Sequence, residues 1–302
     1  MQTFLPYPSF AASAAVLDGP RLGKQRVETL QILRALLVPT YGWQRHPVVQ
    51  MWRGHVPGLT AYGLAMTDEW LGRGHADTVR PQLVEFAPEV DGVPQDELAE
   101  RGLLPPWLGD PVVHESHRSR LIAKDPDFYG TRFPGTPLDL EYVWPPAPAA
   151  PQEPHVAPLW VVRVDDLDSW RDAGLVGIPQ ANSAGKITPA WRQQHERFAE
   201  ELAPGVLVAV LGAADPALLH LAEITGPPAS VTIDGAEYLA RSARYEGDLA
   251  RGELPVPAEL QNPRRLFPVA PPHAVRAGAG DLHPEQRTIR ISAWPPRSGP
   301  KT

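Results

Sequence analysis

Two short stretches of this chain set charged side chains at helical spacing. Leu17 to Glu28 reads L-D-G-P-R-L-G-K-Q-R-V-E, and it places the carboxylate of Glu28 with three cations, Arg21, Lys24 and Arg26, within about three helical turns. His114 to Lys124 reads H-E-S-H-R-S-R-L-I-A-K. Here Arg120 and Lys124, one turn apart, project the same way and can grip successive phosphates, with His114, His117 and Arg118 adding donors nearby. Each stretch also has a plainer reading. Lys24 and Glu28 alone make a solvated i,i+4 pair worth a few tenths of a kcal/mol, and Arg120 with Lys124 can be an ordinary exposed helix face.

Other chemistries find no support. In H-E-S-H only one residue separates Glu115 from His117, whereas the metalloprotease spacing needs two, and no third ligand is apparent. No metal or cofactor is therefore expected. Cysteine is absent, which excludes disulfides, thiolate nucleophiles and Cys-type zinc sites. The chain has no phosphate-cradling glycine loop and no G-x-S-x-G elbow; Gly174 to Gly177 is too short to count as the former.

The elements that must carry these residues follow from capping and periodicity. Asp18 and Gly19 can cap a helix with Pro20 at its first position. Val27, Leu30, Leu33 and Leu37 then give a core-facing stripe, with Arg21, Lys24, Glu28 and Gln31 on another face. A second helix covers Leu59 to Arg73, carrying Tyr62, Met66, Trp70 and Arg73. Before it, Trp43, His46, Pro47, Met51, Trp52 and Arg53 mix aromatic and basic character; they can stack bases, and packing at a helix entry is the favoured reading. A third helix spans His114 to Lys124 and ends before Asp125-Pro126.

The second half changes texture. Leu159 to Val164 and Val206 to Leu211 read as strands, and Val231 to Ile233 joins Ala236 onward through Asp234-Gly235 as a two-residue hairpin. Thr188 and Pro189 start a helix with Trp191, His195, Phe198 and Leu202 on one face. The expected organisation is α+β: a mainly helical domain over 1–144, a Pro-rich linker over 145–158, a mixed β-rich domain over 159–275, and a loose tail over 276–302.

Composition sets outer limits. Over 302 residues, 43% are hydrophobic and 21% charged, and no apolar run approaches the ~20 residues that span a bilayer. The opening M-Q-T-F-L-P has no basic region ahead of an apolar segment, so no secretory signal and a cytoplasmic location are expected. A formal charge of −7 argues against wholesale coating of nucleic acid, but Arg21 to Arg34 and His114 to Lys124 are locally basic, which suffices for a local site. Glu85 to Glu100 is acidic and reads as a solvated loop. No membrane partner is expected, and the sequence does not fix an oligomeric state.

Three blocks of the first half, in order, resemble the pyrimidine-dimer DNA glycosylase (endonuclease V) family. Leu17-Asp18 through Glu28 is similar to that family's L-x-D…L…R-x-E helix, with one residue inserted after the Asp. Trp52 to Gly74, closing on W-L-G-R-G, is similar to its helix ending L-K-R-G. Pro106 to Tyr129 follows its H-E-A-S…R-L-x-x-K…R-P…Y run through His114-Glu115, Ser116, Arg120-Leu121, Lys124, Pro126 and Tyr129.

This resemblance implies a helical fold that bends damaged or modified double-stranded DNA and flips a nucleotide out of the stack. It implies an α-amine that attacks the sugar C1′, expels the base and leaves a Schiff base, after which elimination nicks the strand. Glu28 takes the place of the catalytic glutamate, and Arg120 and Lys124 take the phosphate-holding places. Arg21, Lys24 and Arg26 lie on the implied DNA-facing helix. In the family a threonine amine is exposed by trimming the initiator Met; here the bulk of Gln2 disfavours trimming. Either Met1 supplies the amine or the lyase chemistry is absent, with Lys24 a poorer substitute because an ordinary lysine titrates near 10.4 and an α-amine near 8. A non-catalytic sensor of modified bases is the rival reading, and a purely structural scaffold a third. The second half is faintly similar to PUA- or EVE-like barrels, with Trp160, Trp170 and Tyr245 as candidates for a base pocket or for the core.

Overall fold

The computed structural model describes residues 1–147, 157–182 and 184–272. Most of the expected linker, and all of the expected tail, lie outside the described residues. The chain divides into two compact units, residues 1–153 and 154–302.

The described part of the first unit is helical: α1 (Phe10–Val16), α2 (Gly19–Leu37), α3 (Pro47–Met51), α4 (Val56–Gly72), α5 (Arg80–Val84), α6 (Gln95–Glu100), α7 (Pro111–Lys124) and α8 (Pro126–Tyr129). The α2 start is the expected one, with Asp18 Oδ1 accepting from Arg21 N at 2.9 Å, though Pro20 stands second rather than first. That position also lacks an intrahelical acceptor, so the missing N–H costs nothing. Helices α2 and α4 pack so closely at Gly63 that a Cβ there would lie 2.7 Å from Thr29 Cγ2 and 3.1 Å from Leu83 Cδ1. Only glycine permits that approach.

Two expectations fail here. Val27 is 42% exposed and Leu37 half-buried, while Gln25 and Glu28 are buried, so the inward face of α2 is rotated from the apolar stripe. Interior polar partners set that rotation, and a count of apolar spacing does not see them. The acidic stretch Glu85 to Glu100 is also not a plain loop. It contains a 3-10 turn at Pro88–Val90 and α6, with Val90 and Leu98 buried. Arg80 ties it down, reaching Asp91 at 2.6 Å and Asp68 at 3.1 Å.

The second unit comprises β1 (Leu159–Val164), α9 (Leu167–Asp172), β2 (Leu175–Pro179), α10 (Pro189–Glu201), β3 (Leu207–Gly212), β4 (Leu218–Ile224), β5 (Ala229–Ile233), β6 (Ala236–Ala250) and β7 (Leu266–Val269). The strands run in the order β2-β6-β4-β3-β1-β7, with β5 also on β6, and β1 lies parallel to β3. Strands β2 and β7 end this path; among the described residues the pairings make an open mixed sheet, and the closure the expected barrel requires is not shown. Both faces of the central strands are covered. Trp160, Val162, Val208 and Val210 join one core cluster, and Val161, Ala209 and Leu211 the other, which explains the unbroken apolar runs. The hairpin turns at Asp234 (φ 49°) and Gly235 (φ 78°), the two left-handed positions of a type I′ turn. Trp160 and Trp170 are core side chains at 5% and 4% exposure, and half-buried Tyr245 donates to Leu175 O at 3.0 Å. These three therefore do not form one open base pocket.

Candidate active site at the amino terminus

Residues 2–6 are buried and belong to neither helix nor sheet, so their main-chain groups must find side-chain partners. They find them on three elements. From α2, Glu28 Oε2 accepts from Gln2 N at 3.2 Å and Gln25 Oε1 from Phe4 N at 2.9 Å. From α4, the buried Tyr62 Oη also accepts from Phe4 N (3.0 Å) and lies 2.6 Å from Gln25 Oε1. From α7, His117 Nδ1 accepts from Leu5 N at 3.0 Å, His114 Nδ1 donates to Leu5 O at 2.8 Å, and Arg118 donates to Pro6 O at 2.8 Å. Trp52 Nε1 adds a bond to Thr3 Oγ1 at 3.1 Å. The segment is thereby held along its length.

Its end meets the acid. Met1 N lies 3.6 Å from Glu28 Oε1, and the two side chains are only 6% and 9% exposed. Met1 as a whole is half-buried, so what it exposes is main chain. Gln25 Nε2 donates to Glu28 Oε2 at 3.2 Å, fixing the carboxylate from the other side. Lys24 Nζ also lies 3.6 Å from Glu28 Oε1, but its side chain is 72% exposed. One carboxylate oxygen thus lies near a half-buried residue's α-amine and an exposed ε-amine.

The remaining expected contact residues separate into two groups. Arg21 pairs with Asp18, lies 3.7 Å from Asp125 and donates to Lys124 O at 3.0 Å, which joins the start of α2 to the end of α7. Lys124 is exposed, 5.9 Å from the centre of the Phe4 ring. Arg120 is partly exposed, 3.4 Å from Glu141 and 5.6 Å from the Tyr142 ring centre. Arg118 lines an open groove of about 270 Å³ with Tyr7, Glu115, Arg132 and Phe133. Lys124 is thus exposed and Arg118 and Arg120 partly so, whereas Arg21 is 20% exposed and engaged by Asp18, Asp125 and Lys124 O.

His114 and Arg26 are not available to a strand. His114 is 2% exposed, its Nδ1 engaged by Leu5 O and its Nε2 accepting from Gly109 N at 3.0 Å, so no ring nitrogen is left for a phosphate. Burial holds its pKa below the usual imidazole range, consistent with the neutral form that donates and accepts at once. Arg26 is paired with the buried Asp77 and lies over Trp70 at 4.2 Å. Both residues build the site's walls.

Gln25 and Tyr62, which nothing in the sequence assigns to the site, hold the terminus, and a polar residue on the inward face of a helix is the signal they leave. His117, expected as a phosphate donor, instead holds Leu5 N. His46, expected among residues that stack bases or pack a helix entry, also bears on the site. Its Nδ1 accepts from Val48 N at 3.2 Å, which puts the proton of the neutral ring on Nε2. Burial lowers its pKa and the Met1 ammonium lowers it further, opposed by Glu28. Tyr142 lies 5.3 Å from the His117 ring; burial raises its pKa to about 12, with Arg120 opposing and Glu28 reinforcing.

Residues 1–81 match the pyrimidine dimer DNA glycosylase family. The glycosylase match therefore contains Met1, Gln25, Glu28, His46 and Tyr62. It stops ahead of α7, so His114, Arg118, Arg120 and Lys124 lie beyond it. The comparison with curated proteins returns no match. Among the described residues no group of three His, Asp or Glu could hold a metal, and no helix is long and apolar enough to cross a membrane.

Proposed function

We propose that the first unit is a DNA glycosylase with AP lyase activity on damaged double-stranded DNA, using the Met1 amine as nucleophile. The observation that carries this reading is the Met1 N to Glu28 Oε1 distance of 3.6 Å within the glycosylase-matched residues. An α-amine is intrinsically less basic than a lysine ε-amine, which favours it as the nucleophile. The N–C1′ bond forms as the glycosidic bond breaks, and the base leaves with the bonding pair and acquires a proton. Opening of the sugar yields the imine. Loss of a C2′ proton then expels the 3′ phosphate and nicks the strand.

Glu28 is suited to two roles: its negative charge stabilises the positive charge that develops on the sugar, and its oxygens relay protons. Gln25 and Gln2 N hold it for both. Arg21, Lys24, Arg118, Arg120 and Lys124 are the cations assigned to the phosphates.

A duplex carrying one thymine dimer tests the proposal. Wild type is expected to nick it, and Glu28→Gln to lose roughly a hundredfold or more in turnover while retaining binding. Salt-dependent binding with no nicking by wild type would instead favour the binding-only sensor and overturn the enzymatic reading.

A further inference from the structure

The turn between α2 and α3 holds a tryptophan in a place where folding alone gives no reason for one. Trp43 has φ 68°, the left-handed region that a bulky L-residue avoids, and its side chain is 67% exposed. Among the described residues, Trp43 alone of the tryptophans is exposed. The turn is pinned rather than loose. Gln44 Nε2 donates to Val38 O at 3.1 Å and Pro39 O at 3.2 Å, Gln50 donates back to Gln44 O, and His46 N donates to Trp43 O at 2.8 Å. A strained residue that its surroundings hold in place, showing an apolar ring to water, points to a task outside the fold.

Position says what the task is. The Trp43 ring lies 5.9 Å from the His46 ring, and His46 in turn feels the charges of both the Met1 amine and Glu28. His46 also lies 6.3 Å from the Trp144 ring, Trp144 5.3 Å from Tyr142, and Tyr142 5.3 Å from His117, which accepts from Leu5 N. A run of ring contacts thus leads from Trp43 to the segment that carries the amine. Arg45 and Arg53 are exposed, and among the described residues neither guanidinium is engaged in an ion pair. An exposed ring on the same α2–α3 turn as the exposed Arg45, with Arg53 just beyond α3, suits a nucleic-acid strand, the ring against a base and the cations against phosphates.

We infer that Trp43 is a wedge that enters the duplex beside the lesion and stacks in the space vacated when a nucleotide leaves the helix. The inference rests on the reading of the first unit as acting on damaged duplex DNA. It assigns Trp43 a positioning role: the ring keeps the stack open so that C1′ reaches the amine, and it takes no part in bond making.

The test compares wild type, Trp43→Ala and Trp43→Phe as full chains on two probes. The first is a duplex with a reduced abasic analogue next to 2-aminopurine, whose fluorescence falls when an aromatic ring stacks on it and which needs no amine chemistry. The second is borohydride trapping on an abasic site, in duplex and in single-stranded form. Wild type is expected to lower the fluorescence. Trp43→Ala is expected to abolish that fall and to slow duplex trapping by roughly ten- to hundredfold, the worth of one base–aromatic stack. Single-stranded trapping should be unchanged, and Trp43→Phe should recover part of both duplex signals.

Unchanged fluorescence and duplex trapping in Trp43→Ala would overturn the wedge, as would equal losses on single and double strands. If wild type traps neither substrate, the amine reading fails, while the fluorescence arm still decides the wedge.

Discussion

His117 makes the amino-terminal site sensitive to acid, and the size of the effect can be worked out. The ring is fully buried, accepts from Leu5 N through Nδ1, and is pushed down to about 3 chiefly by burial, with His114 reinforcing. In the unfolded chain it titrates near 6.5. Its folded pKa is depressed, so the unfolded state binds the proton first. The stability that goes with the neutral ring is complete above pH 6.5 and is lost progressively as pH falls toward 3. One proton of difference is worth about 1.4 kcal/mol per pH unit, so at pH 5 the loss is about 2 kcal/mol. His117→Asn keeps an acceptor for Leu5 N and removes the titration. Urea unfolding of the full chain at pH 7 and pH 5, followed by tryptophan fluorescence, reads the difference. The variant should be less stable at pH 7, through lost packing, and the gap to wild type should narrow by about 2 kcal/mol at pH 5. A gap that stays constant between the two pH values would show that His117 is not the buried neutral acceptor described here.

Further outcomes follow from packing and charge. Gly63→Ala should destabilise by about 1–3 kcal/mol, because its Cβ would meet Thr29 Cγ2 at 2.7 Å with Leu83 closing the other side. Gly72→Ala, on the same helix with nothing within 4 Å, should be neutral or stabilising, and thermal melts of the pair isolate the contact. Arg120→Ala and Lys124→Ala should each weaken duplex binding and reduce the slope of log affinity against log salt by about one, whereas Arg26→Ala should leave the slope unchanged and lower stability. Binding isotherms across a salt series check all three.

What the sequence made legible was local. Asp18 caps α2, Thr188 caps α10 with its Oγ1 accepting from Trp191 N at 3.3 Å, and Asp234-Gly235 turns the hairpin; each signal lies within four residues of its effect. The pairing of Met1 with Glu28 came instead from resemblance, since nothing in spacing links them. The misreadings share a cause. Periodicity points Val27 inward because it ignores Gln25 and Glu28, which face inward to bind an irregular segment. His114 reads as a phosphate donor because its partner, the Leu5 carbonyl, lies 109 residues away in the chain. Arg26 looked free for the same reason, with Asp77 51 residues off. Long-range polar partners leave no pattern in a single sequence. For the second unit, strand existence is readable in sequence, but closure depends on which edges pair, and among the described residues a closed barrel is not shown.

Two amines flank the same oxygen of Glu28, and the account chooses between them. Borohydride reduction of the enzyme on an abasic duplex, followed by proteolysis and mass mapping of the cross-linked peptide, reads the choice directly. The sugar remnant is expected on the α-nitrogen of Met1. Its appearance on Lys24, or the absence of any adduct while the duplex is bound, would contradict the central claim.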